Sequence, residues 1–546
     1  RDDDAVTAYI GMDAARQHDV AQTIALYMAP GGEDAPLAVD ELNEKEISHM
    51  NDVRRLIALC RTMRTGCISL AAGLAVAMAW VGATMEKRHR PVMIGAVCGA
   101  LVPAAAAGVV GGMMNAAGFG AVFVGLHRLI FTNSNWLLNP ATDILIRMMP
   151  QALFETALRD VLGQFALAFA LAVLLLAAAF VLRGLCLNYE TSDYTQFLTV
   201  WVNFFRTHGG LAALRESVGN YNVPYLTFLA LISGSSLPDL YLIKLFSIFF
   251  DVVLAWSVMQ LVGLFRREAV WKLAAFFLVL FWPTVMLNSA LWGQCDSVYA
   301  ALAVLSVYLV LAGHPVLGVV SIGASFAFKL QAVFVMPVFL LFWLTRRVKL
   351  RHALAFPATC VVMVLPAVIA GRGLWDALTI PFQQTGSIGT GLNYNSSSVF
   401  ALFTEVRDPE IAAKLGIGAA ALVIVLLAVW FWLHRDDCSD RALLLAAAVL
   451  AAAIPFFLPH MHDRYFFAAD ALTLALAATW PQLALPALLC EFASLLGYHA
   501  YLRMRYLLPM SDGALALIAA LAVLTAVLVT ETRQTAPAER KTKKST

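Results

Sequence analysis

The chain has 546 residues, 60% of them apolar and 14% charged, with a formal net charge of +2 and a mean hydropathy of +0.75. That balance excludes a soluble globular domain, and a near-neutral charge gives no electrostatic footprint for nucleic acid. About ten or eleven apolar runs of bilayer length recur to the C-terminal end, so the sequence reads as an all-α polytopic membrane protein. Charge placement sets the sides. Arg346, Arg347, Lys349 and Arg351 crowd one short loop, and the segment after Glu531 ends in AERKTKKST. Both belong in the cytoplasm by the positive-inside rule. Eight cysteines form no C-x-x-C pair, so neither a zinc site nor a disulfide framework is signalled. The first residue is Arg1, and a signal or a first span is expected to have preceded it.

In chain order, residues 1 to about 60 are a short, polar, soluble segment. It closes with ELNEKEISHMNDVRRL (Glu41–Leu56), read as a helix running into the membrane. His49 and Asp52 share one face of it, a spacing that an ordinary juxtamembrane helix explains equally well. A span follows over Ile68–Ala83, then the basic loop EKRHR (Glu86–Arg90). A Gly- and Ala-rich stretch then runs from Val92 to Phe131, with His127 near its end. Asn139–Asp160 is amphipathic and interfacial, and Phe165–Leu182 is a span. HMNDV (His49–Val53) and LHRLIFTNSNWLLNPATDILI (Leu126–Ile146) resemble the lipoprotein intramolecular transacylases. These bacterial membrane proteins move an acyl chain from the lipid of a lipoprotein to its N-terminal cysteine amine. The resemblance implies a transacylase-like membrane domain over residues 1–160, without the family's first span. It also implies that His49 and His127 face the outer side. Neutral imidazole suits proton abstraction from an amine.

The second half opens on a polar loop, Asn188–Leu214, carrying Glu190 and Asp193 beside Tyr194 and Trp201. Asp193 reads either as a helix N-cap or as a functional acid at a helix mouth. The next span, Leu240–Leu264, closes on Arg266 and Arg267, so the chain returns outward and Asp193 and Asp296 share a face. NSALWGQCDSVY (Asn288–Tyr299) separates two apolar runs, Phe276–Leu287 and Ala300–Leu311. Asp296 therefore sits where a helix leaves or re-enters the bilayer, a costly position that marks a functional candidate. With the amides of Asn288 and Gln294 and the indole of Trp292, this stretch suits a sugar, which has hydroxyls to bond and a C–H face to stack on. An interfacial Trp belt with a capping Asp is the alternative. Lys329 interrupts a later span and calls for a carboxylate, a carbonyl or an anionic ligand. The loop Gly371–Phe400 is polar, long and expected to be external. PHMHDRYFF (Pro459–Phe467) packs His460, His462, Asp463 and Arg464 at a helix mouth. Arg464 suits bidentate phosphate binding and either histidine suits a phosphate leaving group. A divalent cation stays open as a cofactor, though no second ligand cluster accompanies this one.

TSDY (Thr191–Tyr194), NSALWGQCDSVY, FKLQ (Phe328–Gln331) and HMHDRYF (His460–Phe466), in that order, resemble the bacterial relatives of GPI mannosyltransferases. These are multispan glycosyltransferases of the C type, which use polyprenyl-phosphate sugars. The resemblance implies a multispan bundle with external loops over residues 161–535 and a basic cytoplasmic tail over 536–546. It implies that Asp193 is a catalytic or acceptor-orienting acid and that Asp296 is a second acid. Which of them is the base stays open. His460, His462, Asp463 and Arg464, with Lys329, are the implied contacts of the donor phosphate. Trp292, Gln294 and Tyr194 are expected against sugar or acceptor. The implied reaction is inverting transfer of a mannose-like hexose from a polyprenyl phosphate to a cell-envelope glycan or lipid, at the outer face of a bacterial plasma membrane. Acyl transfer by the first half is one alternative. Transport is another, but it predicts internal hydropathy repeats, and none is seen between the halves. One span between His127 and Asp193 would set them on opposite faces, so either a further span lies between them or the first region is inverted or inactive.

Overall fold

The computed structural model describes residues 9–28, 37–59, 108–109, 112–114, 116–149, 151–219, 221–383 and 391–534, with the backbone alone at 151–154 and 157–170. The expected span at 68–83, the basic loop 86–90 and the tail 536–546 lie outside the described residues. The chain divides into two units, Arg1–Ala177 and Ala178–Thr546. The expected boundary at residue 160 falls within one helix, Gln151–Cys186.

In the first unit, α1 (Ala14–Met28) buries Val20, Ile24 and Tyr27, one stripe of a helical repeat. Helix α2 covers 44–59, α3 is Phe119–Ile130, α4 is Ile144–Met148, and α5, Gln151–Cys186, begins in this unit and ends in the second, to which its residues from Ala178 belong. Asn43 and Glu46 form a reciprocal cap at the start of α2. Asn43 Oδ1 accepts from the Glu46 N–H at 3.0 Å, and Glu46 Oε2 accepts from the Asn43 N–H at 2.9 Å. The other oxygen of Glu46 accepts from the Leu145 N–H at 2.6 Å, an orphan donor at the start of α4. The stretch 139–160, expected to be amphipathic and interfacial, is therefore not one continuous helix. Asp143 folds its first residues into a turn by accepting from the Asn139 N–H (2.7 Å) and Thr142 Oγ1 (2.9 Å).

In the second unit, α6 (Thr199–Thr207), α7 (Val223–Ile232) and α8 (Asp239–Gly263) are followed by α9 (Ala269–Phe281) and α10 (Pro283–Met286). Next come α11 (Asp296–Leu311), α12 (Pro315–Phe328), α13 (Val338–Leu344), α14 (Ala355–Ile369) and α15 (Leu374–Gln383). The last five are α16 (Pro409–Leu433), α17 (Asp440–Phe457), α18 (Phe467–Thr479), α19 (Ala484–Leu502) and α20 (Met510–Gln534). Six described helices are long and apolar enough to cross a bilayer, or seven if the bent pair at α9–α10 is one span. This is an all-α polytopic membrane protein. Among the described residues, α11, α12 and α18 are apolar but stop short of bilayer length. The loop expected over 371–400 is not all loop, since it contains α15.

The bend between α9 and α10 is 51° and falls at Trp282–Pro283. Proline has no N–H to continue α9, and Glu491 of α19 takes up the donors that the break frees. Its carboxylate accepts from the Thr284 N–H at 2.9 Å and from Thr284 Oγ1 at 2.8 Å. A buried ion pair holds the other side. Arg183 near the end of α5 reaches Asp251 of α8 through Nε at 3.0 Å and Nη2 at 2.9 Å, and donates to the Leu280 carbonyl of α9 at 2.8 Å. Asp251 also accepts from Ser289 Oγ and Ser297 Oγ, each at 2.5 Å. The bend is thus fixed by charges and hydrogen bonds in an apolar interior, where each is costly to break.

A short parallel pairing closes the polar end. Asn393–Tyr394 lies against Met461–His462, in the register Asn393 to Met461 and Tyr394 to His462. Both segments cross α19 at Gly497. A Cβ there would lie 2.6 Å from the Asp463 carbonyl oxygen and 2.9 Å from that of Asn395. Gly497→Ala must push two backbone segments off the helix. It is expected to cost about 1–3 kcal/mol, read as a lowered Tm in detergent. An unchanged Tm would show that the two segments yield freely.

Candidate active site

Two π-helical turns carry the site. One, Tyr194–Leu198, follows Asp193, and the other, Leu287–Trp292, ends at Gly293. Such turns widen the backbone and recur at functional sites. Gly293 has φ +80, a left-handed conformation that glycine adopts without steric cost. The chain reverses there, with the Gln294 N–H donating to the Asn288 carbonyl at 2.9 Å. The reversal aims two side-chain donors at one oxygen: Trp292 Nε1 at 2.9 Å and Gln294 Nε2 at 2.5 Å both donate to Asp193 Oδ2. Thr191 Oγ1 clamps the two stretches by donating to the Trp292 carbonyl at 3.0 Å. Asp193 caps no helix through its side chain and is only half-buried. Lys244 of α8 holds the approach to it, donating to the carbonyls of Cys186, Leu187 and Tyr189 at 2.8, 3.2 and 2.6 Å. A cation suits this place, because the last carbonyls of α5 lack helical partners.

Asp296 stands at the start of α11 and is fully buried. Oδ1 accepts from Lys329 Nζ at 2.5 Å, and Oδ2 accepts from Asn288 Nδ2 at 2.8 Å. Arg464 Nε lies 3.5 Å from the same Oδ2. Lys329 follows the last turn of α12 in an extended conformation, φ −151 and ψ 133, and its ammonium also lies 5.6 Å from the centre of the Tyr221 ring. Tyr221 in turn donates to Gln294 Oε1 at 3.0 Å, which links the cations to the Asp193 network. Two cations therefore share one interior carboxylate.

The turn between α17 and α18 supplies Arg464 and its neighbours. Asp463 Oδ1 lies 3.4 Å from Arg464 Nη1. Burial, with help from Asp193 and Asp296, pushes the Asp463 carboxyl up to about 7 against the pull of Arg464. Burial and then the nearby guanidinium of Arg464 push His462 down to about 4, so its imidazole is neutral near pH 7. The His462 ring stacks on Tyr394 with centroids 4.8 Å apart. His460 belongs to a different arrangement. With φ +61 it turns away, donating from its N–H to the Leu392 carbonyl at 2.8 Å and from Nδ1 to the Gly391 carbonyl at 2.6 Å. Its contacts stitch the two loop segments together.

Trp292, expected to offer a face to a sugar, is fully buried. Tyr501 stacks on it at 4.2 Å and 14°, Tyr498 meets its edge at 5.2 Å, and the Arg464 guanidinium carbon lies 5.2 Å from its ring centre. Its visible contribution is the N–H held on Asp193. Tyr194 packs on the apolar cluster around Trp201 and Tyr225. Tyr221, Lys244, Tyr498 and Tyr501 join the site without having been singled out in the sequence. Lys244 had a signal, an ionisable residue inside an apolar helix. The tyrosines had none. Among the described residues no group of three or more His, Cys, Asp or Glu side chains stands close enough to hold a metal.

In the first unit, the rings of His49 and His127 lie 6.2 Å apart. Phe131 lies 5.4 Å from each, and Phe123 and Trp136 lie 3.9 and 5.2 Å from His127. His127 Nδ1 meets the Phe123 carbonyl at 2.9 Å. A carbonyl only accepts, so Nδ1 carries the hydrogen and Nε2 keeps its lone pair when the ring is neutral. Burial and the neighbouring His127 hold His49 below the usual imidazole range, against the opposing pull of Asp52.

Two family models match the chain, in separate places. Residues 221–459 match glycosyltransferase family 87. Taken with the bilayer-length helices, the glycosyltransferase match makes this a membrane glycosyltransferase region. Residues 2–154 match the family model of lipoprotein intramolecular transacylase Lit. The fusion expected from the motifs is thus present. No curated protein matches the chain. The glycosyltransferase match contains Asp296 and Lys329, whereas Asp193 and Arg464 flank it in sequence and meet it in space. Removing Lys329 would leave the Asp296 carboxylate short of its closest cation. Lys329→Met is therefore expected to cost about 3–5 kcal/mol, measured by unfolding in detergent, and adding Asp296→Asn should recover part of that loss. If Lys329→Met unfolds like the parent, the pair is not holding the site together.

Proposed function

We propose that the second unit transfers a hexose from a polyprenyl-phosphate donor to a cell-envelope hydroxyl acceptor, with Asp193 as the base. The observation that carries this reading is the difference between the two acids. Asp296 is enclosed by two cations and an amide, Lys329, Arg464 and Asn288, whereas Asp193 is half-buried and takes the neutral donors Trp292 and Gln294 on Oδ2. In the proposed step, Asp193 takes the proton of the acceptor hydroxyl as its oxygen bonds to the anomeric carbon. The bond from that carbon to the phosphate oxygen breaks on the opposite face, and the lipid phosphate leaves with the electron pair. Arg464 and Lys329, kept in place by Asp296, offset the charge that develops on the phosphate. His462, neutral in the ligand-free site, serves as a hydrogen-bonding group. A mannose-like sugar and an outward-facing site belong to this proposal. The match to a glycosyltransferase family and the lipid-embedded helices support a lipid-linked donor.

A second reading applies to the first unit. The convergence of His49 and His127 favours acyl transfer there, with one imidazole as base toward an amine.

The test is transfer from a polyprenyl-phosphate hexose by purified protein in detergent. Arg464→Lys replaces a fork of donors with a point charge. It is expected to slow transfer by at least about tenfold through the loss of one or two charge-assisted bonds. Turnover like that of the parent at both limiting and saturating donor would remove Arg464 from the phosphate. The pH dependence follows from Asp463, whose carboxyl sits at about 7. Below that value it is neutral and leaves Arg464 to the donor, and above it the carboxylate competes with phosphate. The donor KM is therefore expected to fall as pH drops from about 8 to about 6, and Asp463→Asn should flatten that change.

A further inference from the structure

A second feature lies away from the acids and rests on none of the foregoing assignments. A cavity of about 200 Å³ opens between α12, α13 and the start of α14. Val319, Ile322, Phe339, Trp343 and Phe356 line it, and Lys349 stands among them as its charged member. Trp343 is 47% exposed, so the cavity opens outward rather than into the core. The loop beside it is basic, but its cations are not equivalent. Arg347 is engaged by Asp440 at 2.6 Å, and Arg346 lies 3.8 Å from Asp436. Among the described residues, Lys349 and Arg351 form no ion pair and both are exposed. An apolar slot with one uncompensated cation, Lys349, in its lining and another, Arg351, next in sequence to the lining residue Leu350, at the end of a bilayer-length helix, suits a lipid: tail region inside, anion at the rim.

We propose that this cavity binds one acyl chain of an anionic glycerophospholipid, whose headgroup charge is met by Lys349 and Arg351. A zwitterionic lipid offers the same chain, but its own cation offsets its phosphate, so it gains little from the two side chains. The volume accommodates part of one chain, which makes a single, oriented lipid the occupant rather than a patch of bilayer. Basic residues at a membrane surface each favour anionic lipid by roughly 1 kcal/mol.

The full chain in mixed micelles tests this, with brominated phosphatidylglycerol and brominated phosphatidylcholine as quenchers of Trp343. The chain has 12 tryptophans, so the Trp343 signal is taken as the difference between the parent and Trp343→Phe. That difference is expected to show a preference of about tenfold or more for the anionic lipid. In Lys349→Gln/Arg351→Gln the preference should vanish while quenching by phosphatidylcholine is unchanged. Circular dichroism establishes that the variants are folded. Equal quenching of Trp343 by the two lipids overturns the proposal. So does a preference that survives the double substitution, and so does anionic-selective quenching that Trp343→Phe leaves intact.

Discussion

The second unit depends on a carboxylate that water does not reach. Asp296 and Asn288 are fully buried, and Lys329 is nearly so. A lone ion in such a place is too costly to keep, and its cost is met only by close counter-charges with good geometry. Lys329 at 2.5 Å and Arg464 at 3.5 Å supply the charge, and Asn288 at 2.8 Å adds a neutral hydrogen bond. The constraint works in both directions. Without Asp296, Lys329 would lose its carboxylate, Arg464 would keep only Asp463, and the two cations would repel each other. With it, they stand fixed, while Asp193, half-buried, is held through Oδ2 by Trp292 and Gln294.

Holding these charges requires a backbone that is not regular helix. The π turns at Tyr194–Leu198 and Leu287–Trp292, the 51° bend at Pro283 and the extended residue Lys329 all interrupt apolar segments. In lipid each interruption frees backbone groups that must be satisfied inside the protein. The structure shows where they go. Glu491 takes the donors of Thr284, Lys244 takes three carbonyls before Asp193, and Arg183 takes the Leu280 carbonyl while paired with Asp251. The buried ionisable groups outside the site thus have a physical task, which is to make irregular backbone tolerable within an apolar bundle.

Much of this was legible in the sequence, for stated reasons. Apolar runs announced the helices, and polar stretches within them announced Asp193, Asp296, Lys329 and the turn at 459–467. An ionisable residue between two apolar runs is rare enough to read without a structure. What could not be read was which charge meets which. Asp296 and Lys329 lie on different helices, and whether Asp296 served a ligand or a protein cation depended on packing. Trp292 illustrates the limit: its indole suited a sugar face, but Tyr501, from a distant helix, covers it. His460 and His462 illustrate it again. They are two apart in sequence, yet a positive φ at His460 sends one to the Gly391 carbonyl and the other toward Asp193 and Arg464. Short-range pattern singled out these residues, and long-range packing decided which of them meet.

The central claim is a division of labour between two aspartates, one anchoring cations and the other taking a proton. Asp193→Asn and Asp296→Asn, compared for single-turnover sugar transfer and for unfolding in detergent, test it most directly. The account predicts that Asp193→Asn keeps the stability of the parent while transfer falls by about 100-fold or more. It predicts that Asp296→Asn loses about 3–5 kcal/mol of stability, since buried Lys329 loses its carboxylate and Arg464 keeps only Asp463. Parental transfer rates in Asp193→Asn, or parental stability in Asp296→Asn, would contradict it.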